Sequence, residues 1–371
     1  MKCRTSILFV IDTMYTGGAQ KVLSLITKTL LPHYEHVGVF VLKKTESYFF
    51  VEGVDYYFAI EEKEKLTANL FPILNQLSNV MKHYDSIVGF MDFAANYLTS
   101  LAATLNQKPY RLSVRCHISD ILQTYEYREL NQNLVQLCYG NAKQVICNSE
   151  ASRKDLIDNF SVDYHKTVLL RNCIDVSKTL MLSKERVPDE HQCFFNGKTI
   201  VAIGRLCYQK NYETLIKAFK ILSERYKEPL TLLILGEGEF RQKIEILIED
   251  LNMRSKVFLL GEQSNICAYL AQADIFVHVT LFEGFPNTLL EAAVLQIPIV
   301  ASNIDAIQEF IGDEKNGLLV DPMQSEAIAI ALERLLLTPS LGFHLSTQAY
   351  QDVLLYDIET FNNTVLRLFC D

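Results

Sequence analysis

At 371 residues the chain is long for a single hydrophobic core, so two domains of ordinary size are expected. A composition of 49% hydrophobic and 21% charged residues excludes a disordered chain, and a net charge of −9 makes nucleic acid an unsuitable partner. Residues 1–175 carry equal numbers of cations and anions, so the whole excess of acid lies in the second half. The nine cysteines show no C-x-x-C pair and no Cys/His metal spacing, which predicts reduced thiols and neither disulfides nor structural zinc. The chain enters an apolar strand almost at once, without the order of a signal peptide, and no apolar run approaches the roughly 18 residues of a membrane span. A cytoplasmic protein is expected.

Short apolar strands alternate with amphipathic helices along nearly the whole length. Strands are predicted at 7–11, 37–42, 56–60, 86–90, 111–115, 144–147 and 167–170, with helices at 19–30, 66–83 and 94–105. Around 177–197 the periodicity fades into polar residues, the best candidate for a linker. Strands then resume at 199–203, 230–235, 257–260, 275–279, 297–301 and 317–320, with helices at 212–226, 240–251, 266–271, 287–295 and 325–337. The final segment, 341–371, reads as helical with an interruption near Asp357. The pattern predicts an α/β protein of two doubly wound domains, 1–176 and 198–356, facing each other across a cleft. Ligands in such sheets bind beyond the carboxyl ends of the strands, and the candidate motifs cluster there.

Gly17-Gly18-Ala19-Gln20 follows the first strand and opens the first helix. Two glycines permit close approach to a ligand, although a tight strand-to-helix turn accounts for them equally well. Arg115-Cys116-His117 ends the strand at 111–115, placing His117 at a strand end; a lone histidine is more often structural than catalytic. Gly204-Arg205 and Lys210 lie after the strand at 199–203, where two cations could neutralise a diphosphate. Gly236 and Gly261 mark further turns of close approach, each a weak signal by itself. The most informative stretch is Glu283-Gly284-Phe285-Pro286-Asn287-Thr288, running through to Glu291. A turn delivers a helix N-terminus suited to phosphate, and two flanking carboxylates could accept hydrogen bonds from hydroxyls on either side of it.

Taken together these segments resemble glycosyltransferase family 4, with its two-domain GT-B fold of Rossmann-like halves. Gly17-Gly18-Ala19-Gln20 is similar to the G-G-A-E turn, and Asn148-Ser149-Glu150 to a segment ending in S-E before a helix. Arg171-Asn172-Cys173-Ile174-Asp175 resembles P-N-G-I-D, Gly204 through Lys210 resembles G-R-L-x-x-x-K, and Glu283 through Glu291 resembles the two-glutamate motif. Gln20, Arg171 and Cys173 depart from the family pattern on the acceptor side and at the hinge.

The resemblance implies a retaining sugar transfer from a nucleotide-sugar to a hydroxyl of a glycan or lipid-linked acceptor, in cell-surface polysaccharide synthesis. A UDP-hexose or UDP-N-acetylhexosamine donor is expected over GDP-mannose. It implies catalytic roles for His117, Arg205, Lys210 and Glu283. Donor binding would fall to Gly17, Gly18, Gly204, Gly236, Gly284, Phe285, Pro286, Asn287, Thr288 and Glu291. Neither metal nor cofactor is implied. Peripheral contact with the cytoplasmic face of the inner membrane is expected, and the last helix, 357–371, is expected to pack back on the first domain. The alternatives are a nucleotide-sugar epimerase of the same fold, a GDP-mannose-dependent mannosyltransferase, and a catalytically silent GT-B interaction module.

Overall fold

The computed structural model describes residues 4–15, 17–45 and 49–370. The chain divides into two compact units, Met1–Asn172 with Glu359–Asp371, and Cys173–Ile358. In the first, strands β1 (Arg4–Ile11), β2 (Tyr34–Lys43), β3 (Asp55–Ile60), β4 (Ser86–Gly89), β5 (Tyr110–Val114), β6 (Gln144–Cys147) and β7 (Thr167–Leu169) form a parallel sheet in the order β3-β2-β1-β4-β5-β6-β7. In the second, β8 (Lys198–Ile203), β9 (Leu230–Leu235), β10 (Val257–Gly261), β11 (Ile275–His278), β12 (Ile299–Ser302) and β13 (Leu318–Val320) form a parallel sheet in the order β10-β9-β8-β11-β12-β13.

Both sheets are covered on both faces, which is why their strands read as continuous apolar runs. Ile7, Leu8, Phe9, Val10 and Ile11 are all fully buried. On one face of the first sheet Leu8, Val10, Leu112 and Val114 pack against Ile73, Leu77 and Leu98 from helices Leu70–Met81 and Ala94–Leu105. On the other, Phe9 meets Phe369 of the last helix, Ile358–Cys370, edge-on at 5.7 Å, and the Tyr34 hydroxyl donates to the Phe369 carbonyl at 2.6 Å.

The two sheets share one topological device. The chain lays strands outward on one side of β1, then returns to its other side at β4; it does the same at β8 and β11. At each reversal the flanking loops diverge and leave a crevice at the strands' carboxyl ends.

Three differences from the sequence expectation have plain causes. The segment 177–197 is no linker: it carries helix Val176–Leu182, capped by Asp175 through the Lys178 N–H at 2.9 Å, and a 3-10 stretch Asp189–Phe195. Val187, Phe194 and Phe195 pack into the core of the second unit, so the division falls earlier, after Asn172. The single helix expected at 66–83 is a 3-10 turn Leu66–Asn69 followed by an α-helix from Leu70, because Pro72 is tolerated only in a first turn. Helix Arg128–Asn141 was not expected; it buries only Val135, Cys138 and Tyr139, too narrow a stripe to show as periodicity.

Where the chain enters and leaves the second unit its two segments run side by side, the Ile174 N–H donating to the Tyr356 carbonyl at 2.9 Å.

Candidate active site

In the second unit the crevice lies between β8 and β11, and the backbone there is tightly fitted. Gly204 ends β8 at φ +154, and a Cβ on it would lie 2.9 Å from the Lys210 side chain. Gly236, at φ +142 after β9, abuts the Gly204 carbonyl, where a Cβ would come within 2.1 Å. The glycine at 236 is thus required by its neighbour's backbone. Beyond Gly204 the loop makes a 3-10 turn, Tyr208–Lys210, and Asn211 adopts a left-handed conformation at φ 53 before helix Tyr212–Arg225.

This loop is zipped to the one after β11. Leu281 N–H and the Thr280 hydroxyl both donate to the Gln209 carbonyl, at 2.8 and 2.9 Å, and the Gln209 side chain donates to the Phe282 carbonyl at 2.7 Å. The outcome is to bring Lys210 and Glu283, 73 positions apart, into a direct ion pair in which the Lys210 ammonium donates to Glu283 Oε1. His278, the last residue of β11, lies 3.2 Å from the same oxygen through Nε2.

The electrostatics are decided by that triad. Burial alone would raise the Glu283 carboxyl, but the Lys210 charge and the His278 hydrogen bond outweigh it and hold it down at about 2. His278 is 4% exposed, and burial with the adjacent Lys210 charge pushes its imidazole below the ordinary value, against the pull of Glu283. At neutral pH Glu283 is therefore a carboxylate and His278 a neutral imidazole.

Helix Asn287–Val294 begins four residues further on, with Pro286 at its N-cap and no side chain capping it. Its first N–H groups therefore depend on backbone, solvent or a ligand, and the helix dipole favours an anion. The side-chain oxygen of Asn287 is buried and accepts no hydrogen bond among the described residues. Glu291 is 5% exposed, one turn into the helix. The Phe285 ring is directed into the core beside Tyr356, 5.4 Å between centroids, so only its backbone faces any ligand duty. Arg205 is exposed and has no ion-pair partner among the described residues.

The structure thus gathers Gly204, Lys210, Glu283, Gly284, Pro286, Asn287, Thr288 and Glu291 onto two adjoining loops and one helix of the second unit. Gly17, Gly18 and His117 belong to the first. A Cβ on Gly17 would lie 2.3 Å from the side-chain oxygen of the buried Gln20. His117 precedes helix Ile118–Leu122 and is not isolated: its Nδ1 lies 2.9 Å from Asp120 and 3.9 Å from the buried Asp155. Sequence reasoning missed His278. Its signal was a polar residue closing an otherwise apolar strand one turn before a glutamate.

Among the described residues no group of three or more His, Cys, Asp or Glu is arranged to hold a metal ion.

The architecture is the GT-B fold, and the site occupies the strand-end crevice of one of its two sheets. A crystal structure of Anabaena Alr3699/HepE in complex with UDP and glucose superposes over 98% of this chain and 99% of its own, with a TM-score of 0.83 at 20% identity. The sequence profile of the family described as glycosyl transferases group 1 matches residues 183–352. An N-acetylgalactosamine-N,N'-diacetylbacillosaminyl-diphospho-undecaprenol 4-alpha-N-acetylgalactosaminyltransferase of Campylobacter jejuni is 31% identical over 229 residues. That match spans 61% of this chain and only 60% of the relative's length. The amylovoran biosynthesis glycosyltransferase AmsD of Erwinia amylovora is 24% identical across 93% of this chain and 94% of its own.

Proposed function

We propose that the protein is a retaining glycosyltransferase of family 4. It moves a sugar from a UDP-hexose or UDP-N-acetylhexosamine to a hydroxyl of a glycan or lipid-linked acceptor in bacterial cell-surface polysaccharide synthesis. The observation that carries this reading is the Lys210–Glu283–His278 triad set beside an uncapped helix N-terminus at the crevice between β8 and β11.

Each element has a chemical task. The helix N–H groups at Asn287 and Thr288, with Arg205, hold the donor diphosphate. Lys210 neutralises charge as it grows on the leaving diphosphate. Glu283, kept ionised by Lys210, accepts hydrogen bonds from donor sugar hydroxyls, and neutral His278 fixes its orientation. Glu291 takes the ribose hydroxyls. In the step itself the anomeric carbon loses its bond to the diphosphate oxygen and gains one to the acceptor oxygen, on the same face. The acceptor proton passes to the departing diphosphate. Glu283 is held as the base partner of Lys210, which disfavours it as a covalent nucleophile. We assign catalysis also to His117, and donor binding also to Gly17 and Gly18.

One further feature supports an acceptor at a membrane surface. No single helix among the described residues is long and apolar enough to cross a bilayer. Yet Leu70, Phe71, Leu101, Leu105, Leu130 and Leu137 are exposed on helices of the first unit, Phe71 at 84%. Such a concentration suits peripheral contact with the cytoplasmic face.

A donor screen tests the proposal. UDP-sugars should raise the melting temperature and undergo slow hydrolysis, and Lys210→Ala should abolish both. Selective stabilisation by GDP-mannose would overturn the donor, and UDP-sugar interconversion without transfer to any acceptor would replace the transferase by an epimerase.

A further inference from the structure

The first unit has its own crevice, between β1 and β4, and its side chains differ in kind. Asp12 follows β1 and Asp92 follows β4. Asp92 is buried and fully engaged: its carboxylate accepts the Arg115 N–H at 2.9 Å, the Cys116 thiol at 3.1 Å and the Tyr139 hydroxyl at 3.3 Å. Its task is to hold the end of β5. Asp12 is only half engaged. Oδ1 accepts the Ala95 N–H at 3.0 Å, in the first turn of helix Ala94–Leu105, while Oδ2 has no hydrogen-bond partner among the described residues.

Beside it stands an aromatic stack in a strained setting. Phe93 has φ 66 and ψ −109, a backbone conformation rare for a bulky residue and one that the surroundings must enforce. There its ring stacks on Tyr125 at 4.7 Å and 30°, with Tyr97 edge-on at 6.1 Å. Tyr125 is 40% exposed, so the stack reaches the surface. Phe93 is the N-cap of the helix whose Ala95 N–H donates to Asp12, so the stack and the carboxyl meet at one helix start, and burial pushes the Tyr125 hydroxyl up to about 12. Burial, opposed by the Ala95 hydrogen bond and aided by Asp92, pushes the Asp12 carboxyl up to about 7. Near neutrality it is therefore partly protonated, able to donate as well as accept.

A carboxyl oxygen left open beside an exposed aromatic ring can bond a hydroxyl while the ring covers an apolar surface. What fits is an uncharged ligand with an apolar face and a rim of hydroxyls. We propose that Asp12 and the Phe93–Tyr125 stack form a subsite for a neutral sugar ring of the acceptor. In it Asp12 Oδ2 bonds the ring hydroxyls and the exposed part of Tyr125 covers the ring's C–H surface. The assignment rests on the transferase reading, which supplies the acceptor, but it can fail separately.

The test is saturation-transfer NMR on the full chain with methyl α-glucoside and methyl α-N-acetylgalactosaminide, each titrated with and without UDP. The wild type should transfer magnetisation to at least one glycoside. Asp12→Asn keeps the acceptor for Ala95 but replaces the open oxygen by a donor, and should weaken that binding several-fold, the scale of one lost hydrogen bond. Tyr125→Leu keeps bulk but not the flat face and should weaken it several-fold. Both variants should bind UDP as the wild type does, and Asp12→Asn should melt no lower at pH 8. No transfer to either glycoside in the wild type, or undiminished binding in Asp12→Asn, overturns the inference. Loss of UDP binding throughout, with glycoside binding intact, would fail the donor reading and leave this subsite standing.

Discussion

The two units solve one topological problem with opposite chemistry. Each sheet reverses its strand order beside its first strand, and each reversal opens a crevice at the carboxyl ends. At β8/β11 the crevice holds a lysine, a glutamate pushed down to about 2 and an uncapped helix N-terminus. At β1/β4 it holds two carboxyls pushed up, to about 7 and about 6, and an aromatic stack. The cause of the contrast is Lys210. A cation placed within contact of Glu283 overrides burial, whereas burial prevails at Asp12 over its hydrogen bond and at Asp92 over its hydrogen bonds and the Arg115 charge. Shared topology thus says where a ligand binds; the local charge says which kind. We propose a diphosphate for the crevice of the second unit and an uncharged polyol for that of the first.

Removing the cation should break this contrast most completely. Lys210→Ala is expected to lower kcat/KM about 10²–10³-fold, the scale seen when one electrostatic contact to a developing charge is lost. It should also destabilise the protein, because Glu283 is left partly buried without its partner. Glu283→Gln should cost about 10²-fold in kcat/KM, and it sharpens the comparison through acid stability. The folded carboxyl holds its charge down to about 2 while the unfolded one protonates near 4.5. Glu283 thus stabilises the fold fully above pH 4.5, and that stability is lost as pH falls toward 2. Melting curves across this window should fall less steeply for the variant.

Arg205→Ala should weaken UDP binding about tenfold, more so at low salt, and leave the melting temperature unchanged because the side chain is exposed. The smallest effect is expected from Asp12→Asn, and its sign is the informative part. The folded carboxyl keeps its proton to about pH 7 whereas the unfolded one loses it near 3.8. Asp12 therefore weakens folding increasingly as pH rises through that interval. The variant should melt a few degrees higher at pH 8 and equally at pH 3. A residue whose removal stabilises the fold is the pattern of a functional group kept at a cost in stability.

Much of the second crevice was legible in the chain itself. Glycine, proline and paired acids between an apolar strand and a helix carry strong local meaning, and Lys210 stood at a strand end. The pairing of Lys210 with Glu283 was not legible, since it depends on Gln209 bonding to the loop at 280–282. Nor was His278, which hid within an apolar strand. The first crevice was read only at its rim, through Gly17, Gly18 and His117. Asp12 and Asp92 look in sequence like ordinary solvated residues after a strand; what distinguishes them is burial, a tertiary property. The polar run at 177–197 misled for the converse reason, because a short capped helix with few buried residues has the composition of a linker.

The most direct measurement is calorimetric titration of UDP into wild type, Lys210→Ala and Asp12→Asn under the same conditions. A donor site centred on the second crevice predicts binding at least about 100-fold weaker in Lys210→Ala and unchanged in Asp12→Asn. Equal affinity of all three, with Lys210→Ala folded, would contradict the placement of the donor beside Lys210 and Glu283.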